Sequence, residues 1–349
     1  MKMETEIVRI ADGSDESALY RAAELIKEGR LVVFPTETVY GLGADATNEY
    51  AAKRIYEAKG RPSDNPLIIH ISAPIDADKY AYTSLTYYRL AECFMPGPLT
   101  VIMKSKETVP KATRGGLSTV AVRCPENRIA NRLISLAGVP IAAPSANISG
   151  SPSPTSVSHV IDDMNGRVDM IIDGGECEFG LESTIVKIED DGSLTLLRPG
   201  KITVDDLTSS GFVIKVADAV TCELGKGETA LSPGMKYKHY APKASLVLLD
   251  GEIEKVIDYI KAENVKNCGL IWFSDDAELV KSELQSVSFY NFGRKSDRLY
   301  QAHSLFSILR ETDKCEHSII YAPLPEVEGI GLALYNRLIR ASAHKIIKL

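Results

Sequence analysis

The sequence predicts a two-domain α/β protein, and three observations lead to that prediction. Short apolar segments typical of buried strands alternate with longer segments of helical periodicity. The chain has 349 residues, which is long enough for two domains that each bury a core. The alternation stops at residues 222–243 and then starts again. We therefore expect a domain over 1–221, an ordered linker over 222–243 and a smaller domain over 244–349.

Helices of the first domain are predicted from apolar residues spaced three and four positions apart. Segment 17–27 has this pattern, and Gly29 follows as a cap. Segment 48–59 ends at Gly60 and Pro62, which stop a helix. Further helices are predicted over 85–94, 127–137 and 155–162.

Strands of the first domain are predicted from runs rich in Val, Ile and Leu. The first, Leu31–Phe34, ends where Pro35 removes a backbone N–H. Whether the sheet stays open or curls toward a barrel is left open by the pattern. The other predicted strands are 67–71, 99–103, 119–123, 139–142, 168–173, 183–188 and 194–198.

The predicted linker has the sequence CELGKGETALSPGMKYKHYAPK, whose glycines and prolines prevent a long regular element. A purely flexible linker would be rich in Gly and Ser. This segment instead holds His239 and Tyr240, so we expect it to contact ligand or protein. The second domain is expected to be a Rossmann-like layered unit, with strands at 246–249, 269–273, 287–292 and 318–322 and helices at 253–262, 297–310 and 331–344.

Composition excludes several classes of protein. The net charge of −7 argues against a protein that mainly coats duplex nucleic acid, which is usually basic. No apolar run approaches about 18 residues, so no membrane-spanning helix is expected. The N-terminal segment lacks a signal sequence. The six cysteines show no CxxC spacing, so we expect mostly buried, reduced thiols and a cytoplasmic location.

Residues 35–43, PTETVYGLG, place two threonines, a glutamate and two glycines after a strand. We expect a loop that presents polar groups, in which Gly41 and Gly43 let the backbone approach a ligand. Residues 41–46 also match the GxGxxA dinucleotide fingerprint. Six residues separate Phe34 from Gly41, whereas a dinucleotide-binding turn is tight, so that interpretation is rejected.

Lys59 and Arg61 form a pair of cations at the predicted end of a helix. Cations there can simply complement the helix dipole, worth roughly 0.3–1 kcal/mol. Their position between the PTETVYGLG segment and the strand of His70 favours a second interpretation. In that interpretation two cations in a solvent-accessible loop, with Asn65 following, hold a triphosphate or a leaving pyrophosphate.

The other polar candidates each have an ordinary alternative. A histidine in an apolar strand, such as His70, is more often a core residue than a catalyst. Arg123 at a strand end forms either a surface ion pair or a bidentate carboxylate contact. The polar loop 143–155 is either an ordinary connection or a phosphate-binding loop. Glu182–Thr184 and Arg198 give weaker signals alone.

Together, these segments resemble the YrdC-like family of L-threonylcarbamoyladenylate synthases in its longer, two-domain (Sua-type) form. The resemblance covers about 15–243 and implies a twisted mixed sheet with helices in the first domain. Both the Lys59/Arg61 pair and the Ser145-x-Asn147 motif of the family are intact. The motifs that support the resemblance are PTETVYGLG (35–43), KGRPSDNPLIIH (59–70), TVAVRCP (119–125), APSANISG (143–150), STIV (183–186), LLRPG (196–200) and SPGMKYKHYAPKA (232–244).

The resemblance implies an enzyme that condenses L-threonine, bicarbonate or CO2, and ATP into threonylcarbamoyl-AMP and pyrophosphate. A separate tRNA threonylcarbamoyl transferase complex would use the product, and direct tRNA contact is left open. Mg²⁺ would accompany the nucleotide, with no dedicated protein metal site. By motif, L-threonine would be bound by Thr38, His70, Arg123, the backbone of Ala143, and Ser183. ATP would be bound by Lys59, Arg61, Asn65, Thr119, Ser145, Asn147, Ser153 and Arg198, with His239 of the linker closing over it.

Three other functions were weighed against this resemblance. A double-stranded RNA binder is disfavoured by the acidic net charge. A carbamoyltransferase of hydrogenase maturation would need acylphosphatase and CxxC zinc elements, which the sequence lacks. A regulatory ATP-binding protein stays open, and dependence of pyrophosphate release on threonine would separate it from a synthase.

Overall fold

The computed structural model describes residues 4–10, 16–222, 231–232 and 239–349. Contacts divide the chain into two compact units. The first comprises 1–149 and 153–236, and the second comprises 150–152 and 237–349. Most of the predicted linker, 223–230 and 233–238, lies outside the described residues.

The first unit is built on a mixed sheet of 11 strands. Its strands are β1 (Glu6–Arg9), β2 (Val32–Phe34), β3 (Gly41–Asp45), β4 (Ile68–His70), β5 (Leu99–Lys104), β6 (Thr119–Arg123), β7 (Ile141–Ala142), β8 (Met170–Asp173), β9 (Thr184–Ile188), β10 (Leu194–Arg198) and β11 (Ile214–Val216). Their order across the sheet is β1-β8-β2-β3-β7-β4-β6-β5-β9-β10-β11. Parallel and antiparallel pairs both occur, which confirms the predicted mixed sheet.

Six α-helices accompany this sheet among the residues that the structure describes. They are α1 (Glu16–Lys27), α2 (Glu49–Lys59), α3 (Leu85–Phe94), α4 (Arg128–Ala137), α5 (Val157–Met164) and α6 (Val204–Ser209). The start of α2 is fixed by Asn48, whose side chain accepts the backbone N–H of Tyr50 and Ala51. Its end is fixed by Gly60 in the left-handed conformation. Lys59 is thus the last helical residue.

The segment expected to be a glycine-containing loop is in fact strand β3. It pairs with β2 in an antiparallel hairpin and with β7 on its other side. A Cβ on Gly43 would lie 2.6 Å from Cε1 of Phe34 and 2.8 Å from Cγ2 of Ile141. Gly43 is therefore required for packing against these side chains, and its expected role in the close approach of a ligand stays a prediction.

The first unit has two apolar regions that bear on the site. In one, α1 and α4 pack together and contribute Leu19, Ile26 and Leu133 to a core shared with β2 and β8. In the other, Ile68, Ile102, Ala121, Ile185 and Leu197 form a smaller cluster on the strands β4, β5, β6, β9 and β10. The second cluster lies along the strands that hold the polar candidates.

The second unit is a five-stranded, fully parallel sheet with helices, as the predicted Rossmann-like layering requires. Its strands are β12 (Ser245–Asp250), β13 (Cys268–Trp272), β14 (Ser288–Asn291), β15 (Ile319–Pro323) and β16 (Ile346–Lys348), in the order β14-β13-β15-β12-β16. Its helices are α7 (Ile253–Glu263), α8 (Ala277–Glu283), α9 (Arg298–Thr312) and α10 (Gly331–Ala341). The two-domain α/β fold class is confirmed.

Each predicted helix and strand has a counterpart in the structure, with shifted ends. The fifth predicted helix, for example, is displaced by two residues to Val157–Met164. Cys93, Cys222 and Cys315 are exposed, so the expectation of mostly buried cysteines is wrong. No helix within the described ranges is long and apolar enough to cross a membrane. Elements that the sequence did not predict are β1, β3, β11, β16, α6 and α8.

Candidate active site

Three of the predicted motifs meet through backbone hydrogen bonds. The N–H of Tyr40 donates to the carbonyl of Pro154 at 2.9 Å, and the N–H of Ala146 donates to the carbonyl of Tyr40 at 2.8 Å. The N–H of Ser149 donates to the carbonyl of Lys59 at 2.9 Å. The loop 143–155 is therefore bound both to the hairpin loop between β2 and β3 and to the end of α2.

Lys59 connects the paired-cation motif to the Ser-x-Asn motif. Its Nζ donates to the carbonyls of Ser145 and Asn147, both at 2.5 Å. The hydroxyl of Ser145 donates to Oδ1 of Asn147 at 2.6 Å. Lys59 is only 3% exposed, so the expectation that it lies in a solvent-accessible loop is wrong. Its position at the end of α2 instead places a buried ammonium beneath the loop 143–155.

Arg61 and Asn65 lie in the connection that follows. Nη2 of Arg61 donates to the carbonyls of Asn65 and Pro66 at 3.2 and 3.0 Å. The side-chain Oδ1 of Asn65 is buried and has no hydrogen-bond partner among the described residues. A buried acceptor without a donor is costly, by about 1–3 kcal/mol, so this oxygen is suited to a donor group of a ligand.

His70, Arg123 and Ser183 are brought together by the register of neighbouring strands. His70 ends β4 and is paired with Arg123, which ends β6. Arg123 is paired in turn with Thr100 on β5. The hydroxyls of Thr100 and Ser183 are 2.8 Å apart. Three residues assigned to threonine thus lie together at one end of neighbouring strands, and Thr100 lies beside them.

Arg123 forms a buried ion pair with Glu37, a residue that our sequence analysis did not assign to the site. Nη2 of Arg123 is 2.6 Å from Oε1 of Glu37, and both side chains are almost completely buried. Nε of Arg123 has no hydrogen-bond partner in the described part of the chain. The available signal was that Glu37 is the one charged residue of 31–43, a segment that follows a buried strand, because a buried charge requires a partner.

His70 is a neutral imidazole in this environment. Burial, and then the charge of Arg123, lower the pKa of His70 from 6.5 to about 3. Its Nδ1 lies 3.3 Å from the carbonyl of Ile141, and its ring meets Phe34 edge-on. A neutral ring next to Arg123 adds no positive charge to that of the guanidinium.

Thr38 and Ala143 are also buried, and their local bonds limit what each can offer. The hydroxyls of Thr38 and Thr36 are 2.8 Å apart. The N–H of Ala143 donates to the carbonyl of Ile68 at 2.9 Å. A contact from the backbone of Ala143 to a substrate would therefore use its carbonyl oxygen.

Two residues assigned to ATP, Arg198 and Ser153, lie beside the residues that immediately precede β9. Nε and Nη2 of Arg198 donate to the carbonyl and hydroxyl of Ser183 at 3.0 and 3.1 Å. The hydroxyl of Ser153 donates to Oε1 of Glu182 at 2.5 Å. The structure therefore groups Arg198 with a threonine candidate.

Thr119, assigned to ATP, and Arg123, assigned to threonine, lie at opposite ends of one face of β6. Side chains alternate along a strand, so Thr119, Ala121 and Arg123 of β6 share a face. Four residues of a strand span about 13 Å. Between the ends lies the apolar cluster that contains Ile68 and Ala121. This arrangement suits an elongated ligand with a polar group at each end.

Comparison with known proteins identifies the family. Residues 24–200 match a family model described as telomere recombination, and residues 202–343 match one described as threonylcarbamoyl-AMP synthase, C-terminal domain. The threonylcarbamoyl-AMP synthase of Pyrococcus abyssi is 44% identical over 99% of each chain. The chain belongs to the threonylcarbamoyl-AMP synthase family. The Bacillus subtilis threonylcarbamoyl-AMP synthase is 39% identical over 100% of each chain.

A solved member of the threonylcarbamoyl-AMP synthase family shares the whole fold. The crystal structure of P. abyssi Sua5 complexed with L-threonine has a TM-score of 0.87 and 42% identity, covering 99% of this chain and 100% of that chain. The predicted family, two-domain form and synthase activity are thereby confirmed, and the chain is a nucleotidyltransferase of tRNA modification.

His239 belongs to the second unit of this family member. Its ring centroid is 5.6 Å from that of Tyr240, which is 5.2 Å from that of Phe306. The guanidinium carbon of Arg337 is 5.9 Å from the centroid of Tyr240. These contacts order the end of the predicted linker, whereas the expected contact of His239 with nucleotide stays a prediction.

The described residues contain no group of three or more His, Cys, Asp or Glu side chains that would hold a metal ion. Mg²⁺ commonly keeps several waters and is bound largely by substrate phosphates. The expected Mg²⁺ that accompanies the nucleotide stays a prediction.

Proposed function

We propose that this chain joins L-threonine, bicarbonate or CO2, and ATP on the described face of its first sheet, with release of pyrophosphate. The observation that supports this most directly is the presence of two polar clusters in the first unit. In one, Lys59 bonds the Ser145-x-Asn147 loop, and in the other, Arg123 is paired with His70 on the neighbouring strand. The L-threonine bound in the P. abyssi relative adds support for one of the substrates.

At the threonine end, Arg123 is the group we assign to the carboxylate of the amino acid. Glu37 accepts a hydrogen bond from Nη2 of the guanidinium, and Nε has no hydrogen-bond partner among the described residues. Neutral His70 and the hydroxyls of Thr38 and Ser183 supply polar contacts without a second charge. The carbonyl of Ala143 is the remaining acceptor assigned to threonine. Together they would fix the amine toward the nucleotide end.

At the nucleotide end, the phosphates are assigned to Lys59 and Arg61. Charge-assisted hydrogen bonds from such cations are shorter and stronger than neutral ones. Lys59 has a second role, because its ammonium holds the backbone of the loop that carries Ser145 and Asn147. The other groups assigned to ATP are Asn65, Thr119, Ser153, Arg198 and, from the second unit, His239. Of these, Ser153 and Arg198 bond Glu182 and Ser183 and so lie next to the threonine candidates. Mg²⁺ bound to the triphosphate would supply further charge neutralisation.

The chemistry needs alignment more than a protein nucleophile. The threonine amine adds to CO2 and loses a proton, which gives a carbamate. A carbamate oxygen then forms a bond to the α-phosphorus of ATP while the bond to pyrophosphate breaks. Positioning of the two substrates and neutralisation of the leaving pyrophosphate are therefore the main sources of catalysis. Exclusion of water matters because carbamates and mixed anhydrides hydrolyse.

The linker segment 222–243 is proposed as a lid, and the product is proposed to pass to a separate tRNA threonylcarbamoyl transferase in the cytoplasm. The lid assignment is supported by the two tyrosines, the histidine and the lysines of SPGMKYKHYAP. A lid limits hydrolysis of the intermediate. The division 1–221, 222–243 and 244–349 is the corresponding proposal for how the chain is organised.

The test is pyrophosphate release by the purified chain, with mass-spectrometric detection of threonylcarbamoyl-AMP. We expect both products only when ATP, threonine and bicarbonate are all present. Valine should replace threonine poorly, because a site that hydrogen-bonds a hydroxyl rejects the analogue that lacks it. Pyrophosphate release that continues without threonine would favour a different ATP-dependent function.

A further inference from the structure

The second unit contains a cavity that the synthase reaction does not use. Its volume is about 230 Å³, and it lies where β12, β13 and β15 end, at Asp250, Trp272 and Pro323. These strands are parallel, so the cavity lies at the carboxyl edge of the sheet. Ligands of open parallel sheets bind in a crevice at this edge.

The strand order places the cavity at a change in chain direction. After β12 the chain passes β15 to reach β13, whereas after β15 it passes β12 to reach β16. The connections from the neighbouring strands β12 and β15 therefore leave in opposite directions. Such a topological switch point opens a crevice between the two connections.

Two helices begin at this cavity. Ile253, the first residue of α7, and Gly331, the first residue of α10, both line it. No side chain caps the first turn of either helix. In α10, however, the N–H groups of Gly331 and Ala333 already donate to the carbonyls of Glu328 and Ile330 at 2.9 and 3.0 Å, so the N-terminus of α7 is the more available of the two. Helix N-termini present N–H groups with partial positive charge, which favours a negatively charged group of a ligand.

Carboxylates outnumber cations among the charged side chains that line the cavity. Lys295 pairs with Glu252 at 3.2 Å, and Arg298 pairs with Glu326. Two further carboxylates, Asp250 and Asp276, also line it, so the lining has four carboxylates and two cations. Because each cation already has a carboxylate partner, the two additional carboxylates favour a ligand that carries a positive charge.

Trp272 connects one of these carboxylates to the apolar wall. Its indole Nε1 donates to Oδ2 of Asp276 at 3.0 Å. The side chain of Asp250 has no hydrogen bond or ion pair to any residue that the structure describes, and it lies at the exposed end of β12. The cavity thus combines an acidic edge, an indole and two helix N-termini.

We propose that this cavity binds a free amino acid or another small amino-bearing zwitterion, at a site separate from the synthase reaction. Asp250 and Asp276 would hold the ammonium group, and the first turn of α7 would hold the carboxylate. The volume is below the roughly 300–1,000 Å³ of pockets for drug-sized ligands, which limits the ligand to amino-acid size.

Trp272 is the only tryptophan in the chain, so its fluorescence reports on this cavity. The full chain is titrated with each of the twenty common L-amino acids, with AMP, and with acetate and methylamine as half-ligands. We expect a saturable change in emission with at least one amino acid at a Kd below about 1 mM, and none with the half-ligands.

The substitution Asp250→Asn tests the assignment, with Asp258→Asn on the exposed side of α7 as the matched control. Asp250→Asn should weaken binding of that amino acid at least about tenfold, and Asp258→Asn should leave it unchanged. Equal affinities in the two variants overturn the proposal. So does a response to AMP alone, or no saturable response to any amino acid. None of these readouts depends on pyrophosphate release, so the synthase proposal can fail independently.

Discussion

The two ends of the candidate active site are built in different ways. At the nucleotide end, Lys59, Ser145 and Asn147 lie on loops or at a helix end, and most of their contacts go to backbone carbonyls. At the threonine end, Arg123 lies on a central strand and is held by the carboxylate of Glu37. One end is shaped by the path of the backbone, and the other by buried side chains in register.

This difference predicts which substitutions in the site affect folding and which affect mainly activity. A backbone carbonyl that loses its ammonium partner is uncharged, and the rest of its loop stays held by backbone hydrogen bonds. A buried carboxylate that loses its arginine is left as an uncompensated charge. We therefore expect substitutions at the threonine end to affect folding as well as activity, and substitutions at the nucleotide end to affect mainly activity.

The largest effect is expected for Arg123→Ala. It should lower the free energy of unfolding by about 3–5 kcal/mol, because Glu37 stays buried without its partner. It should also abolish threonine-dependent pyrophosphate release. Chemical denaturation of the purified variant measures the first effect, and the pyrophosphate assay measures the second.

The matched control replaces both partners, as Glu37→Met with Arg123→Met. Substitution of a buried pair by apolar residues of similar volume is often close to neutral. The double variant should therefore recover most of the stability and none of the activity. Equal destabilisation of the single and double variants would show that packing, not the ion pair, holds this end together.

Lys59→Ala should reduce kcat/KM for pyrophosphate release roughly ten- to hundredfold, with a smaller loss of stability than Arg123→Ala. Charge-assisted hydrogen bonds are worth about 1.5–3 kcal/mol, which corresponds to that range. The control is Lys53→Ala on the same helix, since Lys53 forms an exposed pair with Glu49. Similar activities for both variants would return Lys59 to the role of a helix-dipole partner.

Short contiguous motifs made much of the nucleotide end predictable from the sequence. Lys59 and Arg61 are two residues apart, and so are Ser145 and Asn147, so each motif is visible locally although Lys59 and Ser145 are 86 residues apart. Flanking Gly and Pro residues marked the helix ends. The helices themselves followed from apolar spacing, so α3 was predicted at its observed bounds. Local signals of this kind need no knowledge of strand pairing.

The threonine end was only partly predictable because strand register creates it. Glu37 and Arg123 are 86 residues apart, and nothing local pairs them. Thr100 joins the row only because β5 is antiparallel to β6 in one specific register. The same limitation explains β3, whose glycines indicated a loop until Phe34 and Ile141 were seen to occupy the space that a side chain would need.

Gly43→Ala tests that packing explanation. The added methyl group would meet Phe34 and Ile141 at less than 3 Å, so stability should fall by roughly 1–3 kcal/mol. Gly41→Ala is the control on the same strand, because its nearest neighbour would be the Cβ of Ala143 at 3.3 Å. Thermal unfolding should rank Gly43→Ala below Gly41→Ala, and the reverse order would contradict the role given to Gly43.

The smallest effect concerns the neutral state of His70, the ring beside Arg123 at the threonine end. Burial lowers the pKa of His70 from 6.5 to about 3, so between these values the unfolded chain binds more protons than the folded chain. The stability that neutral His70 contributes should therefore be complete above pH 6.5 and decrease as the pH falls toward 3.

The measurement is the free energy of unfolding from pH 7.5 down to the lowest pH at which unfolding is reversible, for the natural chain, His70→Asn and His303→Asn. His70→Asn should flatten the decrease below about pH 6.5, since no ring remains to be protonated on unfolding. His303→Asn is the control, because it removes a histidine from the second unit instead of from the site. If His70→Asn leaves the slope as it is in the natural chain, His70 is already protonated in the folded protein. The threonine end would then carry a charged His70 beside Arg123, in place of the neutral ring that we place next to the guanidinium assigned to the substrate carboxylate.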